Sequence, residues 1–476
     1  MDDKPNILLI YTDQQRYDTI RSLGASWMHT PNLDALCETG VVYTQATCPS
    51  PVCMPDRWSL HTGQWTSRHR CFSNHHPGPK PEFSLPGLLS SVGYRTGLVG
   101  KNHSYLSEAD FDTWDPAPQK AFYEALAARN RTLSSDAFDG RTSFGPASRG
   151  IESDPEYYKT NGALEFMNME DERPFFLWLS YLNPHTPYVA TEPFFSLYDD
   201  RELPAPQVEA EGLEAAGKPF RHSYHRDNTD AFLPYDAQKT MHMRRNYYAM
   251  VSLIDHEIGR IVAFLEDHGL RENTLILFTS DHGDYMGDHG LLTKSPALYD
   301  CLVRVPFILN WPGTLPRGTS CDDFVSHIDI LPALAAVAGA CDVVPEGVQG
   351  RDFLSCLDSG EAIRPAAYAE YGIPGVPYDP WRISQSMFEG RPFCNPGDPL
   401  LPWEGNPVAL SGRIRMIRTH EWKLIDEPKG TGELYDLIAD PHELRNEYRN
   451  PAHHDVISRL TRMGDTMVPE FASQVV

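Results

Sequence analysis

Short uninterrupted apolar runs alternate along this chain with stretches in which apolar residues return every three or four positions. The runs at residues 6–12 (NILLIYT), 94–99 (YRTGLV), 174–181 (PFFLWLSY), 274–280 (TLILFTS) and 305–310 (VPFILN) read as strands, and apolar runs without polar alternation fit strands buried on both faces. Between the runs lie helical patterns. Thr30 offers an N-cap with Pro31 at the first helical position; Leu33 and Leu36 follow, and Gly40 ends the segment. Met250, Ile254, Ile258, Ile261 and Leu265 recur at helical spacing, with Gly269 as terminator. This alternation predicts an α/β fold, a large and mainly parallel sheet flanked by helices. From about Asp352 the rhythm is lost. Residues 379–407, rich in Pro, Gly and Trp, read as a long loop. Residues 413–426 (RIRMIRTHEWKLID) alternate like two short antiparallel strands, and GELYDL adds another. A smaller C-terminal α+β domain is therefore expected, with the larger domain at 1–375 and an antiparallel-sheet domain at 376–476.

Charge narrows the range of partners. The 476 residues carry 65 acidic side chains against 41 basic, a formal net charge of −24. An excess of that size repels polyanions, so nucleic acid is not an expected partner. A small anionic substrate remains compatible, because a pocket can be locally basic in an acidic protein. The nine cysteines are odd in number and lack C-x-x-C spacing, so neither a disulfide scaffold nor a zinc finger is expected. The chain opens on acidic residues, and its first apolar run, residues 7–11, is too short for a signal peptide's core or a membrane span. A cytoplasmic enzyme without membrane association is expected, a processed secreted form being compatible with the same reading. Self-association as a homo-oligomer is left open.

Two of the strands end alike, one in Asp13-Gln14 and the other in Asp281-His282. In doubly wound sheets ligands gather at the carboxyl ends of strands, so the two pairs can converge although far apart in sequence. Two carboxylates, an amide oxygen and an imidazole suit a divalent cation. Hard oxygen donors favour Ca²⁺ or Mg²⁺, and the histidine brings in Mn²⁺. Either pair alone reads equally well as ordinary turn chemistry. Residues 48–64 (CPSPVCMPDRWSLHTGQ) alter the balance, because Cys53, Pro55 and Arg57 spell C-x-P-x-R ahead of a Ser-Leu-x-Thr-Gly stretch.

That segment resembles the signature of the type I, formylglycine-dependent sulfatases of the alkaline phosphatase superfamily. Further similarities follow in order: NILLIYTDQQRYD, the run TPNLDALCETGVVYTQATCPSPVC, GKNH at 100–103, NPHTP at 183–187, TLILFTSDHGDYMGDHGLLTK, RTHEWKLI and ELYDLIADPHELRNEY. The resemblance implies an alkaline-phosphatase-like fold and hydrolysis of a sulfate monoester, of a sulfated sugar or a small organic sulfate. It implies that Cys53 is oxidised to formylglycine by a formylglycine-generating enzyme. The hydrated aldehyde gives a gem-diol nucleophile that expels sulfate by re-forming the carbonyl. Asp13, Gln14, Asp281, His282 and an oxygen of modified Cys53 would hold one cation, Ca²⁺ in the first place with Mn²⁺ as the alternative. Arg57 would stabilise the nucleophile, Lys101 and His103 would bond the gem-diol with His103 as base, and His185 and Lys294 would grip the sulfate and protonate the leaving oxygen.

The fourth motif position is Asp56, where the family usually has serine or another small residue, and a carboxylate there bears on recognition by the modifying enzyme. Two further segments are candidates for choosing the substrate, residues 220–228 (FRHSYHRDN) and Trp381-Arg382. Alternative readings are a phosphonate monoester or phosphodiester hydrolase of the same superfamily, and a non-catalytic sulfatase-like binding protein.

Overall fold

The apolar runs become the middle of an eight-stranded sheet in the computed structural model. The structure describes residues 4–74, 77–115, 142–147, 150–219, 221–223, 226, 236–294, 297–372, 413–427 and 432–473. The strands are β1 (Asn6–Asp13), β2 (Val41–Tyr43), β3 (Arg95–Gly100), β4 (Thr113–Asp115), β5 (Phe175–Pro184), β6 (Thr274–Ser280), β7 (Phe307–Asn310) and β8 (Thr319–Cys321). They lie in the order β4-β3-β5-β1-β6-β7-β2-β8. The pairings β4–β3, β3–β5, β5–β1 and β1–β6 are parallel, and only β7 runs against its neighbours.

The helices that matter here are α1 (Pro31–Thr39), α2 (Cys53–Thr62), α3 (Pro155–Met167), α4 (Ala237–Asp267) and α5 (His454–Met467). Strand β1 shows why layers form on both sides. Ile7, Leu9 and Tyr11 pack into one core with Leu60 of α2, while Leu8 and Ile10 pack into another with Leu33 and Leu36 of α1, Phe166 of α3 and Ile254 of α4. Each such aliphatic side chain contributes roughly 1.5–3 kcal/mol on burial. The helical row read from sequence, Met250 to Leu265, is buried along its whole length. Asp236 caps α4 by accepting from the Lys239 N–H at 2.8 Å, and Gly269 follows its end with φ at 67°. Thr30 departs from expectation. Its hydroxyl makes no cap bond, and the first N–H groups of α1 donate instead to Asp255 of α4, Leu33 N at 2.7 Å and Asn32 N at 3.2 Å.

A second sheet, all antiparallel, has the order β12-β11-β10-β9, with β9 (Ala367–Tyr371), β10 (Ile414–Arg418), β11 (Trp422–Asp426) and β12 (Glu433–Asp436). The boundary near residue 375 lies outside the described residues, and β9, on its N-terminal side, belongs to this small sheet. The small sheet shares the apolar core of Ile7, Leu9 and Tyr11 through Ala369, Met416 and Ile425, and buried ion pairs add to this: Arg418 donates to both Asp300 oxygens at 2.9 Å, and Lys423 pairs with the same carboxylate. Arg221 and His222, within the expected substrate-choosing segment, are also buried here, Arg221 between Glu427 and Glu433 and His222 against Glu433. Trp381-Arg382 lies outside the described residues. Among the described residues no helix is long and apolar enough to cross a membrane.

Candidate active site

Four neighbouring parallel strands, β3, β5, β1 and β6, end on one edge of the sheet and deliver most of the candidate side chains there. Thr12 pairs with Ser280, so the residues after them, Asp13 and Asp281, emerge side by side. The next residue, Gln14, turns sharply, with φ at 71°, and its backbone N–H donates to Asp281 Oδ1 at 2.9 Å. Strand β3 ends at Gly100 and hands on to Lys101. A Cβ at Gly100 would lie 2.0 Å from the Ser180 carbonyl oxygen, so only glycine lets β3 and β5 stay together at this point. Strand β5 leads into His185. Cys53 is the first residue of α2, and Arg57 follows one turn later.

The side chains meet around Cys53. Its Sγ lies 3.3 Å from His282 Nε2, 3.1 Å from Lys294 Nζ and 3.8 Å from Asp13 Oδ1. Lys294 also reaches Gln14 Oε1 at 3.0 Å and His282 Nε2 at 3.2 Å. Lys101 pairs with Asp13 Oδ2, and His185 Nε2 lies 3.9 Å from Asp13 Oδ1. Arg57 is fully buried and joins the two carboxylates, with Nη2 3.1 Å from Asp13 and 3.0 Å from Asp281. Its remaining donors go to Ser180 Oγ at 2.8 Å and the Lys101 carbonyl at 2.9 Å, and its plane lies over Tyr11 and Trp178. Such a guanidinium fork has every hydrogen placed, which is what a buried cation requires. His103 stands apart: among the described residues no hydrogen bond joins it to Cys53, and its Nδ1 is buried without a partner.

The charges shift one another strongly. Burial pushes the Asp13 carboxyl up, but Lys101, His185, Arg57 and Lys294 together hold it well below its ordinary value. Asp281 is pushed up to about 7 by burial and by Asp13. Burial and Asp13 act to raise Cys53, yet Lys101, Lys294 and His282 bring its thiol well below the ordinary range; its place at a helix N-terminus acts in the same direction. Burial and the neighbouring Lys294 lower His185 to about 4. His185 Nδ1 lies 2.7 Å from the Thr186 carbonyl, which only accepts, so the hydrogen of the neutral ring sits on Nδ1.

Asp56 explains itself structurally. Its carboxyl is fully buried, accepts from the Tyr11 hydroxyl and lies 2.7 Å from His327 Nδ1, whose other nitrogen meets Thr279 Oγ1 at 3.1 Å. The motif's unusual carboxyl thus ties the first turn of α2 to β1 and β6. In Asp56→Ser the Tyr11 hydroxyl keeps His327 Nδ1 at 3.2 Å, which limits the damage. A stability loss of about 1–3 kcal/mol is expected from the lost bonds and the space left behind. Urea denaturation midpoints measure it, and an unchanged midpoint contradicts this role.

A protein-family model described as Sulfatase matches residues 5–340. The chain belongs to the sulfatase family. A choline-sulfatase from Rhizobium meliloti (strain 1021) is 29% identical over 473 residues, covering 94% of this sulfatase and 83% of that protein. A multifunctional alkaline phosphatase superfamily protein, PehA, from Trinickia caryophylli is 27% identical over 513 residues, covering 94% and 92% of the two chains. Among solved structures, the phosphonate monoester hydrolase of Agrobacterium radiobacter aligns with a TM-score of 0.78 at 23% identity, over 97% of this chain and 96% of that one. This last likeness is one of fold, and the fold is alkaline-phosphatase-like.

The fold brings nine of the residues singled out in the sequence to one place: Asp13, Gln14, Cys53, Arg57, Lys101, His185, Asp281, His282 and Lys294. Sequence reasoning missed Ser180, Tyr247 and Asp284, which bond Arg57 and Gln14 from behind, and Tyr188, which bonds Asp284. Asp284 had a signal, being a third polar residue after β6 in Asp-His-Gly-Asp. The others look like ordinary strand or helix positions.

Proposed function

We propose that this sulfatase hydrolyses a sulfate monoester of a sugar or small alcohol, with Cys53 oxidised to formylglycine as nucleophile and one divalent cation in the site. The observation that carries the reading is the convergence of the positive charges of Lys101, Lys294 and Arg57 on Cys53 and Asp13, a pocket suited to an anionic tetrahedral group. A site with all these cations and carboxylates together supports catalysis over passive binding.

The donor set fits a cation. Asp13, Cys53, Asp281 and His282 each offer a ligand atom, all within 4.8 Å of one another and all buried. Gln14 Oε1 faces the same group through Lys294. Oxygen donors suit Ca²⁺, and the imidazole makes Mn²⁺ the alternative. When bound, the cation supplies positive charge that lowers the cost of negative charge on the transferring group. Oxidised Cys53, as its hydrate, supplies a hydroxyl nucleophile and an exit for sulfate by re-forming the carbonyl.

The remaining work falls to the chain's own side chains. Arg57 offsets the charge of Asp13 and Asp281 and keeps α2 against the strand ends. Lys101 lies beside Asp13 at the mouth of β3, placed to bond a sulfate oxygen. Lys294, 3.1 Å from Cys53 Sγ and bonded to Gln14 Oε1, is placed to give a proton to the leaving oxygen. Neutral His185 turns its bare Nε2 toward the site as a hydrogen-bond acceptor, while His103, whose Nδ1 has no partner among the described residues, takes the proton released from the hydrate's remaining hydroxyl as sulfate departs.

The test is a panel of sulfated monosaccharides, aryl sulfates, choline sulfate and phosphonate esters offered to matured protein. A sulfate monoester has three non-bridging oxygens; a phosphonate monoester or phosphodiester loses one acceptor and leaves a donor unpaired, at about 1–3 kcal/mol. Sulfate monoesters are expected to show kcat/KM higher by roughly one to two decades, and Lys101→Ala to narrow that gap. A preference of the parent enzyme for the phosphonate ester would put phosphonate hydrolysis in place of this reading.

A further inference from the structure

We infer that Asp284 is a positioning residue that decides which end of the Gln14 side-chain amide meets the cation. The inference rests on the reading above that a divalent cation occupies the site. A glutamine amide has two faces of opposite character, and only its oxygen can ligate a metal. The two ends are nearly the same size, so shape alone does not choose between them. A chemical partner has to.

That partner is on the page. The Gln14 Nε2 donates to Asp284 Oδ2, and Oε1 points the other way, accepting from Lys294 Nζ at 3.0 Å. Both Asp284 oxygens act as acceptors in this arrangement: Oδ2 also takes the Tyr188 hydroxyl at 2.6 Å, and Oδ1 takes the Met286 N–H at 2.8 Å. The carboxyl is therefore held from two other directions before Gln14 is considered. Its backbone is held too. The Asp284 N–H donates to the Cys301 carbonyl at 3.0 Å, and a Cβ on Gly283 would lie 2.0 Å from that same oxygen. Asp284 is fully buried.

Gln14 is clamped at its backbone as well. Its N–H goes to Asp281 and its carbonyl accepts from the Tyr247 hydroxyl at 2.6 Å, which keeps the left-handed turn closed. With the main chain fixed, the amide flip remains, and the bond from Nε2 to Asp284 selects one of its two orientations. Outer partners of this kind orient a ligand without touching the metal.

The experiment reads metal binding with no substrate present, so its outcome does not depend on which ester the enzyme prefers. Calcium and manganese dissociation constants are measured by chelator competition for the parent, Gln14→Ala, Asp284→Asn and the double variant Gln14→Glu/Asp284→Asn. In Asp284→Asn an NH₂ group can face Gln14, and the amide can turn its own NH₂ toward the cation. A loss of about 10–100-fold in affinity is expected. The double variant reverses the polarity of the pair. The amide introduced at position 284 donates through its nitrogen to the carboxylate introduced at position 14 and to the Tyr188 oxygen, while its own oxygen still accepts from Met286. The carboxylate at position 14 again turns an oxygen toward the metal, and affinity is expected to return toward the parent's. Gln14→Glu alone is measured beside them, because a carboxylate at position 14 can raise affinity by its charge; in a protein that had merely lost packing at Asp284 the second change adds no more than it does in the parent. Melting of the metal-free variants monitors the fold. Parent-like affinity in Asp284→Asn beside a weak Gln14→Ala overturns this inference and leaves the metal site standing, as does a double variant that gains no more over Asp284→Asn than Gln14→Glu gains over the parent. Parent-like affinity in Gln14→Ala overturns it at its premise.

Discussion

Replacement of Cys53 by alanine is expected to lower kcat by about four to six orders of magnitude, the range set by loss of a nucleophile from a site that otherwise stays assembled. The thiol sits where Lys294, His282 and Asp13 converge, so no neighbouring side chain can take over its position. Cys53→Ser separates the two halves of the proposed chemistry. Serine keeps an attacking oxygen but has no second hydroxyl through which a carbonyl can re-form, so the sulfated side chain has no exit. Intact-protein mass spectrometry after exposure to substrate is expected to find that adduct. In the parent, mass spectrometry of the peptide carrying Cys53 is expected to find the aldehyde or its hydrate. A fully active preparation with only thiol at this position would remove the nucleophile from the scheme.

The second large effect concerns the cation. Asp13→Ala and Asp281→Ala are each expected to cut turnover about a thousandfold or more, the equivalent of the several kcal/mol that a cation contributes to charge stabilisation. Elemental analysis of the purified variants should find less bound metal in both. Normal stoichiometry in both would mean that the two strand ends do not share an ion. The parent's affinity should also depend on pH, because ligands must shed their protons before they bind metal. Asp281 is pushed up to about 7 by burial and Asp13, so a proton competes with the cation below that value. Affinity is expected to fall by at least about tenfold per pH unit below pH 7, and more where His282, whose proton Asp281 favours against burial, must also be deprotonated. Asp13, held low against burial by Lys101, His185, Arg57 and Lys294, stays ionised there and adds no dependence of its own. Titrations between pH 5 and 8 that give one flat affinity contradict the scheme (roughly the interval over which the competing proton is gained).

How far the sequence carried this picture depends on the range of the interactions involved. Strands β1, β5 and β6 were readable because each is an uninterrupted apolar run buried on both faces. The three-residue strands β2, β4 and β8 were not, since three residues carry no period. Strand β9 was missed for a different reason. Its sequence, AYAEY, includes Glu370, which is buried, and a buried acid breaks the apolar pattern unless a partner is known. The partners are Ser67 and Arg413, contributed by distant segments. Arg221 and His222 follow the same logic: they read as basic surface, and Glu427 and Glu433 are among the partners that let these two side chains be buried. The residues proposed as metal ligands and nucleophile could be picked out because strand ends and a five-residue motif are local signals. Their supports could not, because Tyr188 and Tyr247 are named as partners only by the folded geometry.

The pairing of β1 also sets a clock. Its two neighbours are far downstream: Ile7 pairs with Phe176, and Asn6 with Thr274. Until both have left the ribosome the sheet edge that closes over Cys53 cannot form, and in the finished fold Cys53 is 1% exposed, beyond the reach of another enzyme's active site. At a synthesis rate of roughly 5–20 residues per second, roughly 10–45 s pass between the appearance of Cys53 and that of β6. Under the proposed chemistry, maturation is therefore a race between oxidation and closure, decided on the nascent chain. Yield of the oxidised residue should track the speed of translation past β6 and the supply of modifying enzyme, rather than the stability of the completed protein.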